Sequence, residues 1–401
     1  MPAIESQLYS EAQLLRGGMV TLRRDLHMHP ELGTQEVRTS RVVQSFLADI
    51  GVEYTQMCGT AVLGLIRGKK PGGVVALRAD MDALPMQDMK ENCPYRSQND
   101  GVMHACGHDV HTASLLYAAK LLMAHREEIC GTVKLFFEPN EETGGYARKM
   151  IENGVMENPK VDAVFAIHQS PFCQVGKVCA KEGRISSASG KFIIHVHGKA
   201  AHGAEPQNGV DAVLIACQIA LALQQCVSRS SDPEDAVVLT IGTIRGGEVK
   251  NVVARECEMT GIHRTPTLEI REAMNRRIER IAAGIAAAMG GSAECEFDNG
   301  AAPVINDDAM TALVQHTAAN MLGKDKVLHE GSGALPITSA EDCGEFISAA
   351  KGCYYNVGSR NEEKGITAAV HTNCFDVDED CLPLAAAMHA AVAINYLRSI
   401  R

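Results

Sequence analysis

Short apolar runs with little alternation recur along the chain. They cover residues 73–77, 132–137, 163–167 and 366–370. Apolar runs of this length are typical of buried, mostly parallel strands. Helical patterns, such as the one over residues 110–125, lie between them. The alternation of strand and helix therefore predicts an α/β fold, with an open and mostly parallel sheet and helices on both of its faces.

A different pattern fills residues 186–298. Strand patterns cover 191–197, 237–241, 254–263 and 293–297, and helix patterns cover 210–227 and 268–289. The order β-α-β-β-α-β is that of a ferredoxin-like unit. We therefore predict a discontinuous α/β domain of residues 1–185 and 299–401, interrupted by an α+β insert over residues 186–298. Because it has two amphipathic helices and an exposed sheet edge, the insert also suits a dimer surface.

Composition narrows the class of protein. The 401 residues are 46% apolar and carry a formal net charge of −11. That charge argues against nucleic acid as a partner, and no apolar run approaches the roughly 20 residues that cross a membrane. The first residues lack the basic and then apolar layout of a signal peptide, so the fourteen cysteines are expected to be reduced thiols in a cytoplasmic protein. A disulfide-linked secreted protein is the alternative.

The densest cluster of metal-binding residue types is HACGHDVH at residues 104–111. Imidazole and thiolate suit first-row transition metals, and Gly107 lets neighbouring side chains converge. A solvated, histidine-rich loop has the same composition, so the cluster alone leaves both interpretations open. The chain contains no C-x-x-C pair, H-E-x-x-H motif, phosphate-binding loop, dinucleotide fingerprint or G-x-S-x-G motif. Structural zinc ribbons, nucleotide-binding folds and serine hydrolases of those types therefore have no support.

Further ligand types stand where apolar runs end. The pair Glu141 and Glu142 follows one such run, and His168 and His371 each directly follow another. Two adjacent carboxylates can divide the work of metal ligand and general base. An acidic loop and two structural histidines are the plain alternatives. The shared position at strand ends nevertheless favours one catalytic metal site with sulfur, nitrogen and oxygen ligands. Its candidate ligands are Cys106, His108, Glu142, His168 and His371.

These residues belong to stretches that resemble the M20 metallopeptidase family. The resemblance is to its branch of amidohydrolases acting on N-acylated amino acids, which includes hippurate hydrolases, bacterial aminoacylases and plant auxin-conjugate hydrolases. The stretches follow the family's order over nearly the whole chain. They are DLHMHPELG at 25–33, LRADMDALP at 77–85, MHACGHD at 103–109, EE at 141–142, AIH at 166–168, GKAAHGAEP at 198–206, NVV at 251–253, GIHRT at 261–265, ED at 341–342 and His371.

The resemblance implies a site for two divalent metal ions, Mn²⁺, Zn²⁺ or Co²⁺. The five candidate ligands would hold the ions, with Cys106 as the bridge between them. Glu141 would be the general base. Asp80 and Asp82, at the end of their strand, would support the ligands from behind. A surface or helix-capping role is the alternative for both aspartates.

The resemblance also implies which residues hold the substrate. His202, in the insert, would help to hold the carbonyl oxygen, acting from its own subunit or from that of a partner. Asn251 and Arg264 would bind the free carboxylate of the amino acid, since a guanidinium group binds carboxylate through two parallel hydrogen bonds. The expected partners are therefore a small-molecule N-acyl amino acid and further copies of the chain, as a dimer or tetramer joined through the insert. The insert would open and close as a lid.

The chain departs from the family's usual pattern in three places. The family commonly has Gln-Pro-Ala-Glu-Glu before a glycine-rich stretch, whereas residues 138–146 here read EPNEETGGY. QSP at 169–171 replaces the usual hydrophobic residue and proline, and alanines stand at 200 and 201 where glycines are frequent. None of these departures removes a ligand. We expect Glu138, Tyr146 and Gln169 to line the pocket and to affect the choice of substrate.

The expected activity is hydrolysis of the amide bond of N-acylated amino acids. The alternative is a dipeptidase or carboxypeptidase of the same family. Branches that act on peptides typically have a His-x-Asp strand motif and a bridging Asp, where this chain has RAD at 78–80 and Cys106. A third hypothesis is a non-catalytic binding or scaffold protein on the same fold. Such a protein would be expected to lack Glu141 or a ligand, and all of them are present.

Overall fold

The computed structural model of the protein describes residues 4–329 and 337–400, which divide into two compact units. Met1–Ile185, Val304–Leu335 and Glu341–Arg401 belong to the first unit, and Ser186–Pro303 with Pro336–Ala340 belong to the second. The ranges expected from the sequence are 1–185 with 299–401, and 186–298. Within the described residues, no helix has the length and apolar character needed to cross a membrane.

The described residues form fourteen strands and eleven α-helices, numbered here in chain order. The strands are β1 (Glu53–Met57), β2 (Ala61–Arg67), β3 (Lys70–Asp80), β4 (Cys130–Glu138), β5 (Ala163–Gln174), β6 (Val178–Cys179), β7 (Gly183–Arg184), β8 (Ala188–His197), β9 (Val238–Gly246), β10 (Glu256–Thr265), β11 (Ser292–Asn299), β12 (Ile305–Asn306), β13 (Val327–Leu328) and β14 (Lys351–Arg360). The helices are α1 (Ile4–Leu14), α2 (Arg16–Met28), α3 (Val37–Asp49), α4 (His108–Ala124), α5 (Tyr146–Glu152), α6 (Ala212–Leu223), α7 (Gln225–Ser228), α8 (Leu268–Ala288), α9 (Asp308–Leu322), α10 (Cys343–Ala349) and α11 (Cys381–Ser399).

The first unit contains an eight-stranded sheet in the order β1-β2-β4-β3-β5-β14-β6-β13. β3 runs parallel to both β4 and β5, and β5 runs parallel to β14. β5 is buried along most of its length, as is the second half of β3, as expected for strands covered on both faces. The predicted α/β fold with a mostly parallel sheet is confirmed. Because β3, β4 and β5 point the same way, their carboxyl ends lie at one edge of the sheet.

Two helices with almost no polar face fill the core of the first unit. α4 and α11 are buried along nearly all of their length and pack against each other. A helix that is apolar all round is expected only where protein surrounds it. The sequence pattern predicted that α4 would begin at residue 110. The helix begins earlier, at His108, directly after Gly107 in the left-handed conformation (φ +87°). His108 and His111 therefore lie about one turn apart on the same face.

The second unit has a four-stranded antiparallel sheet in the order β11-β8-β10-β9. Apolar residues at helical spacing, such as Ile215 and Ile219 in α6 and Met274 and Ile278 in α8, are buried in one core with alternate residues of β8. The elements β8, α6, β9, β10, α8 and β11 follow the predicted β-α-β-β-α-β order, with the short α7 after α6. β9 and β11 form the two edges of this sheet.

The apolar run over residues 366–370 does not form the predicted strand. Ile366 makes an isolated bridge to Asn361, and the residues after it lie in loop and turn. Thr367 and Ala369 are exposed, so the run lacks the buried surface that holds the strands of the sheet in place. His371 follows in a turn, with φ at +59°. The prediction for this segment was wrong.

Candidate metal centre

The predicted ligands meet at the carboxyl edge of the central strands of the first unit. Asp80 is the last residue of β3, and His108 is the first residue of α4, with Cys106 just before it. Glu141 and Glu142 lie in the turn that follows β4. Binding sites of open α/β sheets form at this edge, outside the carboxyl ends of the strands.

His168 reaches the same place from within a strand. The prediction ended its strand at residue 167, but β5 continues to Gln174. Arg78 of β3 pairs with Ala166 of β5, so His168 is level with the end of β3. The predicted position at a strand end was wrong. The ring still lies at the site because β5 extends beyond β3.

A first group of possible ligands consists of Cys106, His108 and His168, all buried, with ligand atoms within 4.8 Å of one another. The Cys106 Sγ lies 3.4 Å from the His168 Nε2. The His168 Nδ1 is hydrogen-bonded to the backbone carbonyl oxygen of Gln169, so its proton is on Nδ1 and the lone pair of Nε2 faces the thiol. On His108, the Nδ1 lies 3.2 Å from a carboxylate oxygen of Asp82, and the Nε2 faces carboxylate oxygens of Asp80 and Glu142 at 3.7 and 3.9 Å.

A second group consists of Cys106, Glu142 and His371, again with ligand atoms within 4.8 Å. The His371 Nε2 lies 3.3 Å from the Glu142 Oε1. The His371 backbone N–H donates to the carbonyl oxygen of Ala105 at 2.8 Å, which ties its turn to the Cys106 loop. The His371 side chain is about half exposed (49%), so this group lies nearer to solvent than the first. Cys106 is common to both groups.

The donor atoms of the two groups fit divalent transition metals. Thiolate, imidazole and carboxylate are the donor types of catalytic metal sites. The buried Glu142 Oε1 lies 3.3 Å from the His371 Nε2 and 3.9 Å from the His108 Nε2, so one carboxylate oxygen stands near an imidazole of each group. Burial, followed by the nearby Glu142 and Glu141, raises the pKa of the Cys106 thiol well above its ordinary value. Metal binding would therefore have to displace the thiol proton.

Asp82 supports two ligands at once. One of its carboxylate oxygens lies 3.2 Å from the His108 Nδ1, and the other accepts the Glu142 backbone N–H at 3.0 Å. Burial alone would lower the pKa of His108, but Asp80, Asp82 and Glu142 raise it to about 10. Asp82 thus fixes both the ring orientation of one ligand and the backbone of another, as outer carboxylates do in metal sites.

Asp80 acts on His111 and Arg78. Its Oδ1 lies 2.5 Å from the His111 Nδ1, and its Oδ2 lies 2.7 Å from the Arg78 Nη1. Burial alone would raise the pKa of Asp80, but His108, His111 and Arg78 lower it well below its ordinary value. The His111 Nε2 accepts the backbone N–H of Gln169 at 2.9 Å. Both nitrogens of His111 are therefore occupied within the protein, which makes it a structural histidine in this arrangement.

Glu141 belongs to an acidic cluster around Arg78. The Arg78 Nε lies 2.6 Å from the Glu138 Oε2, and its Nη2 lies 3.0 Å from the Glu341 Oε1 and 3.3 Å from the Asp342 Oδ1. Oxygens of Glu141, Glu341 and Asp342 lie within 4.8 Å of one another. Burial, followed by Glu341, Glu142 and Asp342, raises the pKa of Glu141 well above its ordinary value. A carboxylate with a raised pKa accepts a proton more readily, as a general base must.

Several residues that hold the ligands in place were not predicted from the sequence. His111 stands three residues after His108, and that spacing on one helix face was a usable signal. Glu341 and Asp342 form one of the stretches that resemble the family, but no role was predicted for them. Ser359, whose hydroxyl donates to the Gln169 side chain at 2.6 Å, has no signal in the sequence, because the two residues lie on different strands.

The three residues expected to line the pocket lie inside the first unit instead. Glu138 is bonded to Arg78, and the Tyr146 hydroxyl donates to a backbone carbonyl oxygen. The Gln169 side chain is hydrogen-bonded at both ends. All three residues are buried. The expectation was wrong because Glu138 and Gln169 lie on strands of the covered sheet and Tyr146 begins a helix packed on it.

His202, Asn251 and Arg264 all belong to the second unit. The Gly203 N–H donates to the Asn251 carbonyl oxygen at 2.8 Å, which brings the His202 loop beside Asn251. His202 is exposed, and its Nδ1 accepts the backbone N–H of Ala204 at 3.1 Å. The ring proton is therefore on Nε2, where it can be donated to an oxygen. Arg264 lies in β10, and its Nη1 donates to the carbonyl oxygen of the preceding residue.

Comparison with known proteins gives a consistent result. Residues 76–395 match the profile described as Peptidase family M20/M25/M40. The chain is 37% identical to Thermostable carboxypeptidase 2 of Saccharolobus solfataricus, over 97% of this chain and 98% of that one. It is 36% identical to the N-acetylcysteine deacetylase of Bacillus subtilis, over 96% of this chain and 98% of that one.

A solved structure is also similar. The YXEP protein of Bacillus subtilis, described as a dinuclear metal-binding peptidase from the M20 family, aligns with a TM-score of 0.83 and 33% sequence identity. The alignment covers 97% of this chain and all of that one (100%). The sheet, the ligand-type residues at its edge and the sequence likeness therefore agree. The chain belongs to the M20 peptidase family and is a metal-dependent amide hydrolase.

Proposed function

We propose that the enzyme hydrolyses the amide bond of N-acylated amino acids and releases a carboxylic acid and a free amino acid. The observation that carries the proposal is the pair of ligand groups that share Cys106, with the Glu141 carboxylate beside them. The relative named N-acetylcysteine deacetylase acts, by its name, on a substrate of this class.

Hydrolysis of small peptides is the second candidate. The relative named Thermostable carboxypeptidase 2 favours it, and the chemistry at the amide bond would be the same. Cys106 and the RAD stretch at 78–80 stand where peptide-cleaving branches typically have an aspartate and a His-x-Asp motif. That difference supports N-acyl amino acids over peptides.

The five ligands would hold two divalent ions, for which we infer Mn²⁺, Zn²⁺ or Co²⁺. When bound, the ions would polarise the amide carbonyl and lower the pKa of a water from 15.7 towards about 7. Glu141 would take a proton from the attacking water and deliver it to the leaving nitrogen. Asp80 and Asp82 would act as positioning residues, since each is bonded to a histidine of the site.

Residues of the second unit would hold the substrate. The His202 Nε2–H would donate to the carbonyl oxygen, from its own subunit or from a partner, and Asn251 and Arg264 would bind the free carboxylate. The second unit would act as a lid and would join copies of the chain into a dimer or tetramer. The proposal places the enzyme in the cytoplasm, where a thiol such as Cys106 stays reduced.

The test is a substrate panel with metal-loaded enzyme. The panel contains N-acetyl, N-benzoyl and longer N-acyl amino acids, with dipeptides alongside, and Glu141→Gln as the inactive control. We expect kcat/KM for the best N-acyl amino acid to exceed that for every dipeptide. A preference for dipeptides would favour the second candidate. Full activity in a rigorously metal-free preparation would overturn both.

A further inference from the structure

Gln169 directly follows His168 in β5 and is only 1% exposed. Its Nε2 donates to the backbone carbonyl oxygen of Cys106 at 2.8 Å. Its Oε1 accepts the Ser359 hydroxyl at 2.6 Å. The Gln169 amide therefore connects the loop that carries Cys106 to β14, the strand next to β5 in the sheet.

The backbone of Gln169 makes two more contacts with the site. Its N–H donates to the His111 Nε2 at 2.9 Å, and its carbonyl oxygen is hydrogen-bonded to the His168 Nδ1. One residue thus touches the loop of Cys106, the ring of His168 and the histidine that binds Asp80.

The Gln169 side chain also shapes the turn beside Cys106. A Cβ at Gly107 would lie 2.6 Å from the Gln169 Cγ and 2.8 Å from its Nε2. Gly107 has a φ of +87°, which other residues adopt only with strain. The Gln169 side chain therefore fills the space that a Cβ at residue 107 would need, so it packs beside the Cys106 turn as well as donating a hydrogen bond to it.

We infer that Gln169 is a positioning residue of the metal centre, which sets the Cys106 thiolate and the His168 ring at their places as ligands. The inference rests on the proposed two-metal function and deepens it. Glutamine suits the position because one end must donate to a carbonyl oxygen and the other must accept from a hydroxyl. A glutamate would set a second acceptor against the Cys106 carbonyl, and an asparagine would fall short by about one C–C bond of 1.5 Å.

Plain core packing is the competing explanation, and matched variants separate the two. Gln169→Met keeps the length and bulk of the side chain but neither hydrogen bond. Gln169→Glu keeps the shape but loses the donor. Ser359→Ala removes only the support of Oε1. Gln174→Met, at the exposed end of the same strand, is the control, because it makes the same exchange away from the site.

Each variant is purified, stripped of metal and titrated with Co²⁺. Three quantities are measured: the dissociation constants, by competition with a chelator; the thiolate-to-cobalt charge-transfer absorption; and the melting temperature of the metal-free protein. We expect Gln169→Met and Gln169→Glu to weaken Co²⁺ binding by roughly 10- to 100-fold, in the range found for outer contacts of metal ligands. Their charge-transfer band should shift or weaken, since the thiolate has moved. Ser359→Ala should show a smaller effect and Gln174→Met none.

Wild-type affinity and an unchanged absorption band in both Gln169 variants would overturn the inference. A lower melting temperature with unchanged metal binding would likewise assign Gln169 to packing. If one Gln169 variant does not fold, the other and Ser359→Ala give the same comparison. Failure of the wild-type protein itself to bind Co²⁺ would instead overturn the proposed function on which the inference rests.

Discussion

Removal of the Asp82 carboxylate should weaken metal binding strongly, because this one side chain supports two ligands. Asp82 is buried, and its two oxygens hold the His108 ring at 3.2 Å and the Glu142 backbone at 3.0 Å. Asp82→Ala frees both. Loss of one outer contact typically lowers metal affinity 10- to 100-fold, which is about 1.4–2.7 kcal/mol. Because two ligands lose their support here, we expect an effect near the upper end of that range.

The same change should also cost stability without metal, because the Glu142 N–H would lose its partner at a cost of about 1–3 kcal/mol. Asp162→Ala, at an exposed residue, is the control for loss of a carboxylate that accepts a backbone N–H away from the site. The Asp162 Oδ2 accepts the Val74 backbone N–H at 2.7 Å, at the opposite end of β3 from the site. We expect the control to lower the free energy of unfolding while the metal dissociation constants stay within about twofold of wild type.

Competition with a chromophoric chelator measures the affinities, and urea unfolding of the metal-free proteins measures the stabilities. Two results would refute the reasoning. In one, Asp82→Ala binds two ions as tightly as wild type, so that Asp82 does not position the ligands. In the other, Asp162→Ala weakens binding equally, so that the loss reflects general destabilisation.

Three further predictions follow from the site and from the core. Glu141→Gln keeps the shape of the side chain but cannot accept a proton, so kcat should fall roughly 10²-fold or more at unchanged metal content, whereas Glu142→Gln should lower metal content. Kinetics with atomic absorption measure both, and the reverse pattern would exchange the two roles. Cys106 should resist iodoacetamide in the metal-loaded protein and react after chelation only at alkaline pH, because burial raises the pKa of its thiol, while the exposed Cys217 of α6 should react in both forms. Peptide mass spectrometry reads this out, and equal labelling of Cys106 in both forms would remove it from the ligand set. Burial lowers the pKa of His389 to about 3. Below a pH of about 6.5, the unfolded state therefore binds a proton that the folded state does not, and the protein loses stability as the pH falls towards 3. Between pH 7 and pH 5, the unfolding free energy of wild type should therefore fall by about 2 kcal/mol more than that of His389→Leu. Urea titrations at the two pH values measure both losses, and equal losses would contradict the lowered pKa of His389.

The sequence was sufficient to predict those features that depend on residues close together in the chain. Cys106 and His108 lie in one short cluster, and three apolar runs lie within the strands β3, β4 and β5, although β5 extends seven residues beyond its run. Apolar character of this kind reports burial, and burial is what fixes a strand inside a parallel sheet. The edge at which such strands end then predicts where their polar side chains meet.

Contacts between residues that are far apart in the sequence could not be predicted in this way. Gln169 and Ser359 are 190 residues apart and meet only because β5 and β14 are neighbours in the sheet. Arg78 draws in Glu341 and Asp342 from a separate part of the chain. The strand prediction for residues 366–370 was wrong for a related reason, since Thr367 and Ala369 are exposed and apolar character alone does not tell whether another element covers a segment. The pattern of apolar residues describes one segment of the chain at a time, whereas each of these contacts depends on two segments.

The place of β14 in the sheet has a consequence for how the protein is made. β14 lies between β5 and β6, yet the ribosome synthesises it long after both, and His371 later still. Until then one edge of β5 has no partner, and an unpaired strand edge invites aggregation. The second unit, almost one continuous stretch of chain, can fold earlier during translation. Chains terminated before residue 351 should therefore accumulate as species with a folded second unit and an aggregation-prone first unit, in need of chaperones.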